Sequence, residues 1–509
     1  MLKQILFFGF LLIQFLSVAQ NKTATILDAN SNESIPYANI KIGTQTNTVS
    51  NGEGKFSIPT DVKDETVIEV SYIGYASTNI TLEKLESLDY VVKLVPAVYE
   101  LNNVDVSDKK EDVNAIMAKV KANLKENYLT TSTPSKSTIF IREQNAFKAK
   151  QFKLEIEKST GFSKSKLKEV NAEIKSFASR MTKTPPREFK DFLGIYGSQV
   201  TKKDDKMVNS SKLNVLKATV IRDENRSVSI DDLEKTAGNL FLKHLDTTKF
   251  YRAKSGWFGS RDTISFSKEF NKNRKRGNKA EKQQPKNVSG AKSTIVSTQT
   301  QTHPLYGTKT DFIRQNDWYK YTLDGAVFTD DYKLVYVIKF QPKKGKAKYE
   351  GTLYVSENDF AVVKATYTLA KGKTLGGINL KWILGVKVFE NVSSGTLIYK
   401  ENPTTKKYYL QYASLEDGQY FYLNRPLKFI ELTDEESDVL ALDIKAEGDM
   451  LDKIEYLNLE QKELSATEFE NLKEPDFKYI KMNKYDPKVW KEFTTLEPAE
   501  EMKQFSIEK

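Results

Sequence analysis

The sequence predicts a mainly β chain with some α. It reads as a β-sandwich at the N-terminus, a helical middle region, and a curved antiparallel β-meander with covering helices at the C-terminus. Three observations carry that expectation. Residues 21–98 fall into short apolar runs separated by turn residues. Residues 111–127 repeat Val113, Ile116, Val120 and Leu124 at three- and four-residue steps, the period of one helix face. From residue 332 the period drops to two.

The bulk composition narrows the class. Of 509 residues, 39% are hydrophobic and 29% charged, and none is cysteine. That excludes disulfides, thiolate metal sites, a cysteine nucleophile and a lipid-modified N-terminal cysteine. The formal net charge is +10, but 68 acidic residues are interspersed with the basic ones, so most charge reads as solvated surface. Residues 5–18 are almost wholly apolar behind Lys3, and Ser17-Val18-Ala19 supplies small residues before Gln20. This is a signal-peptide pattern over residues 1–19, shorter than the roughly 20 apolar residues of a membrane helix. The expected location is the periplasm or the outer membrane, with no transmembrane span after cleavage. Nucleic acid is not an expected partner for an exported chain; an envelope protein or a lipid is.

The first module reads strand by strand. Ala24 to Asp28 opens it, and Ile35 to Ile42 continues. Asn51-Gly52-Glu53-Gly54 is a turn of residues that tolerate positive φ. Lys55 to Ile58 follows, with Phe56 as the inward residue. Val67 to Ile73 alternates apolar and polar, and Val91 to Leu94 closes the unit. Pro36-Tyr37-Ala38-Asn39-Ile40, Ser50 through Phe56, Tyr72-Ile73-Gly74-Tyr75 and the trailing Leu101 to Val106 together resemble the carboxypeptidase-regulatory-like, transthyretin-type β-sandwich of Bacteroidetes exported proteins. That resemblance implies a seven-strand-type sandwich of the non-catalytic kind. The same module fronts TonB-dependent receptors, but the residues after 98 are too few for their plug and a barrel of about 22 strands.

The middle is less regular. After the helix at 111–127, Pro134 precedes a strand at Thr138 to Glu143, which also resembles a segment following this module in larger Bacteroidetes proteins. Arg142-Glu143 reads as a structural pair or as two solvent-facing charges. Ser229 and Asp232 suggest a capped helix start, and Leu233 to Leu245 keep helical spacing. That helix includes His244, one of two histidines, which reads as a helix-face residue. Between Lys272 and Lys286 stand seven basic residues and one acid, Glu281. This composition predicts a disordered insertion. Lys272, Arg274, Lys275, Arg276 and Lys279 are candidates for contact with an anionic surface.

The C-terminal part reads as a meander. Leu334, Tyr336, Ile338 and Phe340 share one face, and Tyr349, Leu353 and Val355 share the next. Val363 to Leu369 follows. Leu380, Trp382, Leu384, Val386 and Val388 read as one long strand, with further strands near 395–401, 406–415, 419–433 and 438–446. The pattern again resembles the barrel-bearing Bacteroidetes family, and in topology the half-barrels of periplasmic lipoprotein carriers. Ser465 with Glu468 forms a capping box, and Asp486-Pro487 starts a further short helix anchored by Trp490 and Phe493. The chain thus divides into a signal peptide (1–19), a β-sandwich (20–98), a mixed helix and strand region (99–270), a basic loop (271–300) and an antiparallel sheet domain with short helices (301–509).

No residue pattern announces chemistry. The zinc-protease His-Glu-x-x-His, the Gly-x-Ser-x-Gly elbow and the phosphate-binding glycine loops are absent. Two histidines, His244 and His303, cannot supply a three-histidine metal site. No cofactor is expected. The first reading is a non-enzymatic envelope protein that binds or scaffolds. The alternatives are a lipid or apolar-ligand carrier using the C-terminal sheet, and an envelope hydrolase. Under the carrier reading, Tyr336, Ile338, Phe340, Leu353 and Val355 form a partly open face for an acyl chain or an apolar partner. The competing reading covers that face with the helices at 111–127 and 229–245.

Overall fold

The computed structural model describes residues 22–44, 46–99, 112–130, 133–159, 163–183, 185–203, 206–222, 250–255, 258–259, 264–265, 287–329, 333–432 and 438–506. The fold is mainly β, and the chain forms two compact units. The expected signal segment, the helix at 229–245 with His244, and Lys272, Arg274, Lys275, Arg276 and Lys279 lie outside the described residues.

The first unit is built on seven short strands in two sheets. They are β1 (Lys22–Asp28), β2 (Asn39–Ile42), β3 (Thr46–Val49), β4 (Lys55–Ile58), β5 (Val67–Ser71), β6 (Thr78–Thr81) and β7 (Val91–Leu94). One sheet runs β4-β1-β7 and the other β3-β2-β5-β6. Alternation puts Ala24, Ile26, Phe56 and Ile58 inward from the first sheet and Ile40, Ile42, Ile68 and Val70 inward from the second. Phe56 stands opposite Ala24 and is fully buried. Helix α1 (Leu82–Glu86) adds Leu82 and Leu85 to this core. Gly54 holds φ +74° with Ile26 O 3.0 Å from where a Cβ would stand, so the turn at 51–54 needs glycine there. The two-residue β8 (Val98–Tyr99) ends the stretch.

This unit also takes residues 484–506, which the sequence groups with the distant C-terminal sheet. The outward polar residues of β1 and β4 explain it. Thr23 Oγ1 donates to Glu497 at 3.2 Å, Ser57 Oγ donates to the other Glu497 oxygen, and Lys55 Nζ lies 2.8 Å from Glu500. Trp490, in a short 3-10 turn capped by Asp486, is buried.

The second unit holds one large sheet. Helix α2 (Val113–Asn127) enters it, capped by Asp112 and burying Ile116, Met117, Val120 and Leu124. The long strand β9 (Ser135–Ser159) follows, then helix α3 (Lys164–Lys183), β10 (Arg187–Lys203) and β11 (Lys206–Arg222). Strand β12 (Phe250–Ser255) pairs with the small β13 (Phe258–Gly259) and β14 (Ile264–Ser265). Helices α4 (Asn287–Gln301) and α5 (Asp311–Arg314) precede β15 (Tyr319–Phe328), β16 (Leu334–Pro342), β17 (Tyr349–Ser356) and β18 (Val362–Leu369). Then come β19 (Gly377–Leu380), the single turn α6 (Lys381–Leu384), β20 (Val386–Glu401), β21 (Tyr408–Glu431) and β22 (Asp438–Glu463). Helix α7 (Ala466–Asn471), with its Ser465–Glu468 capping box, and β23 (Ile480–Met482) end the unit. Helix α8 (Glu500–Gln504) belongs to the first unit.

The order in the sheet is β23-β11-β10-β9-β22-β21-β20-β18-β17-β16-β15. The block β11-β10-β9, from before residue 270, lies between β23 and β22, from after residue 301, so the break in composition at 271–300 does not divide the fold. Nor is all of 271–300 a loop: from Asn287 it is helix α4, which buries Val288, Ala291, Ile295 and Thr298 at helical spacing. The strand expected at 380–388 is also corrected. Leu380 pairs with Val386 across a tight hairpin, because Gly385 at φ +64° reverses the chain. Helix α3 covers another part of the sheet, with Val170 and Ile174 on Leu154, Ile156 and Leu442, and Phe177 and Met181 on Phe147 and Phe421. Among the described residues no helix is long and apolar enough to cross a membrane.

Candidate functional site

The expected open apolar face is core. Tyr336 is 8% exposed, Phe340 3%, and Ile338, Leu353 and Val355 are fully buried. Register puts Ile338 opposite Leu353 and Tyr336 opposite Val355, so they form one contiguous face. Helix α5 lays Phe312 on that face, its ring stacked 4.3 Å from Phe340. Helix α2 reaches the turn after β17 and the start of β18. Asn127 Nδ2 donates to Asp359 O at 2.8 Å, and the Tyr128 hydroxyl donates to Val362 O and accepts from Val362 N. A sheet face this apolar is stable only under a second layer, and here the layer is present.

The Arg142-Glu143 dipeptide splits. Arg142 binds Asp191 on β10, whereas Glu143 accepts from Thr294 of helix α4 at 2.7 Å. Adjacent residues on a strand point to opposite faces, which forbids the pair the sequence juxtaposes. Among the described residues no cluster of His, Asp and Glu could hold a metal ion.

A cavity of about 350 Å³ lies elsewhere in this unit. Its floor comes from small hydroxyl residues on neighbouring strands: Ser135 and Ser137 of β9, Ser198 of β10, and Ser210 and Ser211 of β11. Its walls are tyrosines. Tyr128, Tyr399 and Tyr408 cluster with ring centroids 5.5–6.0 Å apart on Tyr128. Tyr196, Tyr409 and Tyr456 add further rings. Tyr306, 37% exposed, stacks on His303 at 4.0 Å and 3°.

The cavity is uncharged. No described lining residue is Asp, Glu, Lys or Arg. Burial depresses the pKa of His303, which keeps the ring neutral. Both its nitrogens are engaged: Leu305 N–H donates to Nδ1 at 3.1 Å, and Nε2 lies 2.9 Å from the Leu129 carbonyl, so Nε2 carries the proton. Burial likewise pushes up Tyr399 and Tyr456, and Tyr409 to about 12. Tyr399 donates to Thr302 O at 2.5 Å and Gln299 Nε2 to the Tyr456 hydroxyl at 3.0 Å, which locks these rings as walls.

Among the described residues, two that line the cavity carry an unmatched polar atom. Asn458 Oδ1, on a residue 4% exposed, and Gln461 Oε1 are buried without a hydrogen-bond partner. A β-bulge between Asn458 and Glu460 lies beside them. Such acceptors carry a desolvation cost for as long as no donor reaches them. Sequence reasoning missed this site. The serines of 135–137 and 209–211 and the tyrosines of 408–409 are far apart in the chain and meet only through the sheet.

No curated protein matches the chain. Solved structures give faint likenesses. A DUF1329 family protein from Desulfovibrio piger is 11% identical, with 71% of this chain and 97% of that one covered, at a TM-score of 0.18. The MucA/MucB complex of Pseudomonas aeruginosa is 8% identical, covering 70% and 96%, at 0.16. An outer membrane channel from Pseudomonas putida F1 is 6% identical, covering 65% and 97%, at 0.11. A family model matches the N-terminal part of the chain: residues 23–106 fit the model of the CarboxypepD_reg-like domain.

Proposed function

We propose that the chain is a non-enzymatic binding protein of the cell envelope, and that the tyrosine-lined cavity of its second unit takes a small uncharged, hydroxyl-rich ligand, a mono- or disaccharide. The observation that carries this reading is the buried Asn458 Oδ1, an acceptor without a donor, in a cavity free of ionised lining residues. Sugar hydroxyls are donors, and their C–H faces pack on tyrosine rings. A volume of about 350 Å³ lies at the small end of ligand pockets. Export is supported by the apolar run at 5–18 and Ser17-Val18-Ala19. The apolar-carrier alternative loses its motivation, since Ile338 and its neighbours are core.

The test is thermal-shift and calorimetric titration of the mature protein with neutral mono- and disaccharides, uronic acids and a fatty acid. A neutral sugar is expected to raise the melting temperature, and Gln461→Met and Tyr306→Ala to weaken that response. No response to any neutral sugar, or a stronger one to the fatty acid, overturns the reading. N-terminal sequencing of native material tests export, with Gln20 as the expected first residue.

A further inference from the structure

The β19–β20 hairpin ends in an exposed indole. Trp382 is 96% exposed and Ile378 58%, the two most exposed large apolar side chains among the described residues. The exposure is built in. Gly385 sits at φ +64°, where a Cβ would come within 2.1 Å of Asn424 O, so this end of the turn is pressed against β21 and needs glycine, while Trp382 in the single helical turn before it faces solvent.

The tip is also basic. Residues 371–389 contain Lys371, Lys373, Lys381 and Lys387 and no acid. Lys381 Nζ lies 4.4 Å over the Tyr422 ring, and Lys387 lies over Phe389 and Tyr420. Arg425 Cγ flanks Gly385, and Lys445 stands opposite Asn424 on the next strand. Acids nearby include Glu390, at the base of the hairpin, Glu447, which accepts from the Tyr420 hydroxyl at 2.9 Å, and Asp449 opposite Tyr420, which pairs with Lys150 at 2.8 Å.

An indole and an isoleucine ringed by cations match a lipid surface. The ring partitions to the headgroup boundary, and the lysines meet phosphate. We propose that this hairpin docks the protein on an anionic lipid surface, with Trp382 inserted and Lys381 and Lys387 on the headgroups. This stands apart from the cavity and does not depend on its ligand.

Co-sedimentation of the full mature chain with phosphatidylcholine vesicles, with and without phosphatidylglycerol, tests it. The wild type is expected to sediment with the anionic vesicles, less so in high salt, with a blue-shifted tryptophan emission. Trp382→Ser is expected to lower that binding roughly tenfold with an unchanged melting temperature, since the side chain is exposed. Lys381→Glu lowers it as well. A wild type that stays in solution, a Trp382→Ser protein that binds like wild type, or equal binding to the neutral vesicles overturns the proposal.

Discussion

Arg142 and Asp191 are direct cross-strand partners on β9 and β10, joined by two hydrogen bonds, Nε to Oδ1 at 3.0 Å and Nη2 to Oδ2 at 2.8 Å. Their side chains are 2% and 0% exposed. Glu455 is the register partner of Arg142 on the other flank, in β22, and is 3% exposed. One guanidinium thus lies between strands that each bring a buried carboxylate. Burial raises the Asp191 pKa and so does the charge of Glu455, while Arg142 opposes both.

Arg142→Met should therefore be costly, about 3–5 kcal/mol at neutral pH, because it leaves the buried Asp191 carboxylate without its cation, whereas Glu455 keeps Lys453 at 3.3 Å. The loss should shrink as pH falls. With Arg142 gone, Asp191 takes up a proton more readily in the folded state than in the unfolded one, and that uptake stabilises the fold. Urea unfolding at pH 7 and pH 5 checks the sign: a loss that grows in acid contradicts it.

Lys364 gives a second pH signature. It is 3% exposed, stands opposite Tyr354 in register, and burial lowers its pKa from 10.5 to about 8. The unfolded chain then binds this proton more tightly than the fold does. Below pH 8 both states are protonated; above it the fold releases the proton first, so stability rises with pH. This group alone contributes roughly 1–2 kcal/mol between pH 8 and 9.5, while buried tyrosines such as Tyr399 and Tyr456, whose unfolded counterparts start to ionise in that window, pull the other way. Lys364→Met should therefore fall behind wild type by that amount across the window, as paired denaturant melts would show; a difference that stays constant with pH contradicts it.

The face of Ile338 and Leu353 should behave as core. Ile338→Trp is expected to lose roughly 1–3 kcal/mol by overpacking against the α5 layer. A melting temperature equal to wild type would mean that the face has room the packing does not show.

In the first unit the C-terminal segment should be structural. Glu497 is 4% exposed and meets Thr23, Ser57 and Lys503, the last at 2.6 Å. Glu497→Ala should cost about 1–3 kcal/mol by stranding these donors. Phe56→Ala should cost more, about 3–5 kcal/mol, by emptying the sandwich core. Hydrogen exchange over residues 22–99 in the full chain reads both. Protection unchanged in Glu497→Ala would make the segment a passive cover.

Local chemistry was legible from the chain, long-range pairing was not. The turn at 51–54, the helix at 113–127, the strands around Phe340 and Leu353 and the cap at Ser465 each rest on a few consecutive residues. Helix α4 was hidden because a basic run upstream dominates its composition, although Val288, Ala291 and Ile295 keep the helical step. The hairpin at Gly385 was hidden because Leu380, Trp382 and Leu384 alternate as a strand would, while the reversal depends on one positive φ.

The sequence by itself determined the β-rich class, the module at the N-terminus and which residues could be apolar core, because period and turn chemistry are local. Tertiary structure decided the rest. Whether an apolar face is open depends on what lies over it, and Phe312 lies over Phe340. The partner of Arg142 depends on which strand is its neighbour, and that is β10, not the next residue. The cavity exists only where β9, β11, β21 and β22 share one sheet and bring serines and tyrosines from separate segments of the chain to a common wall.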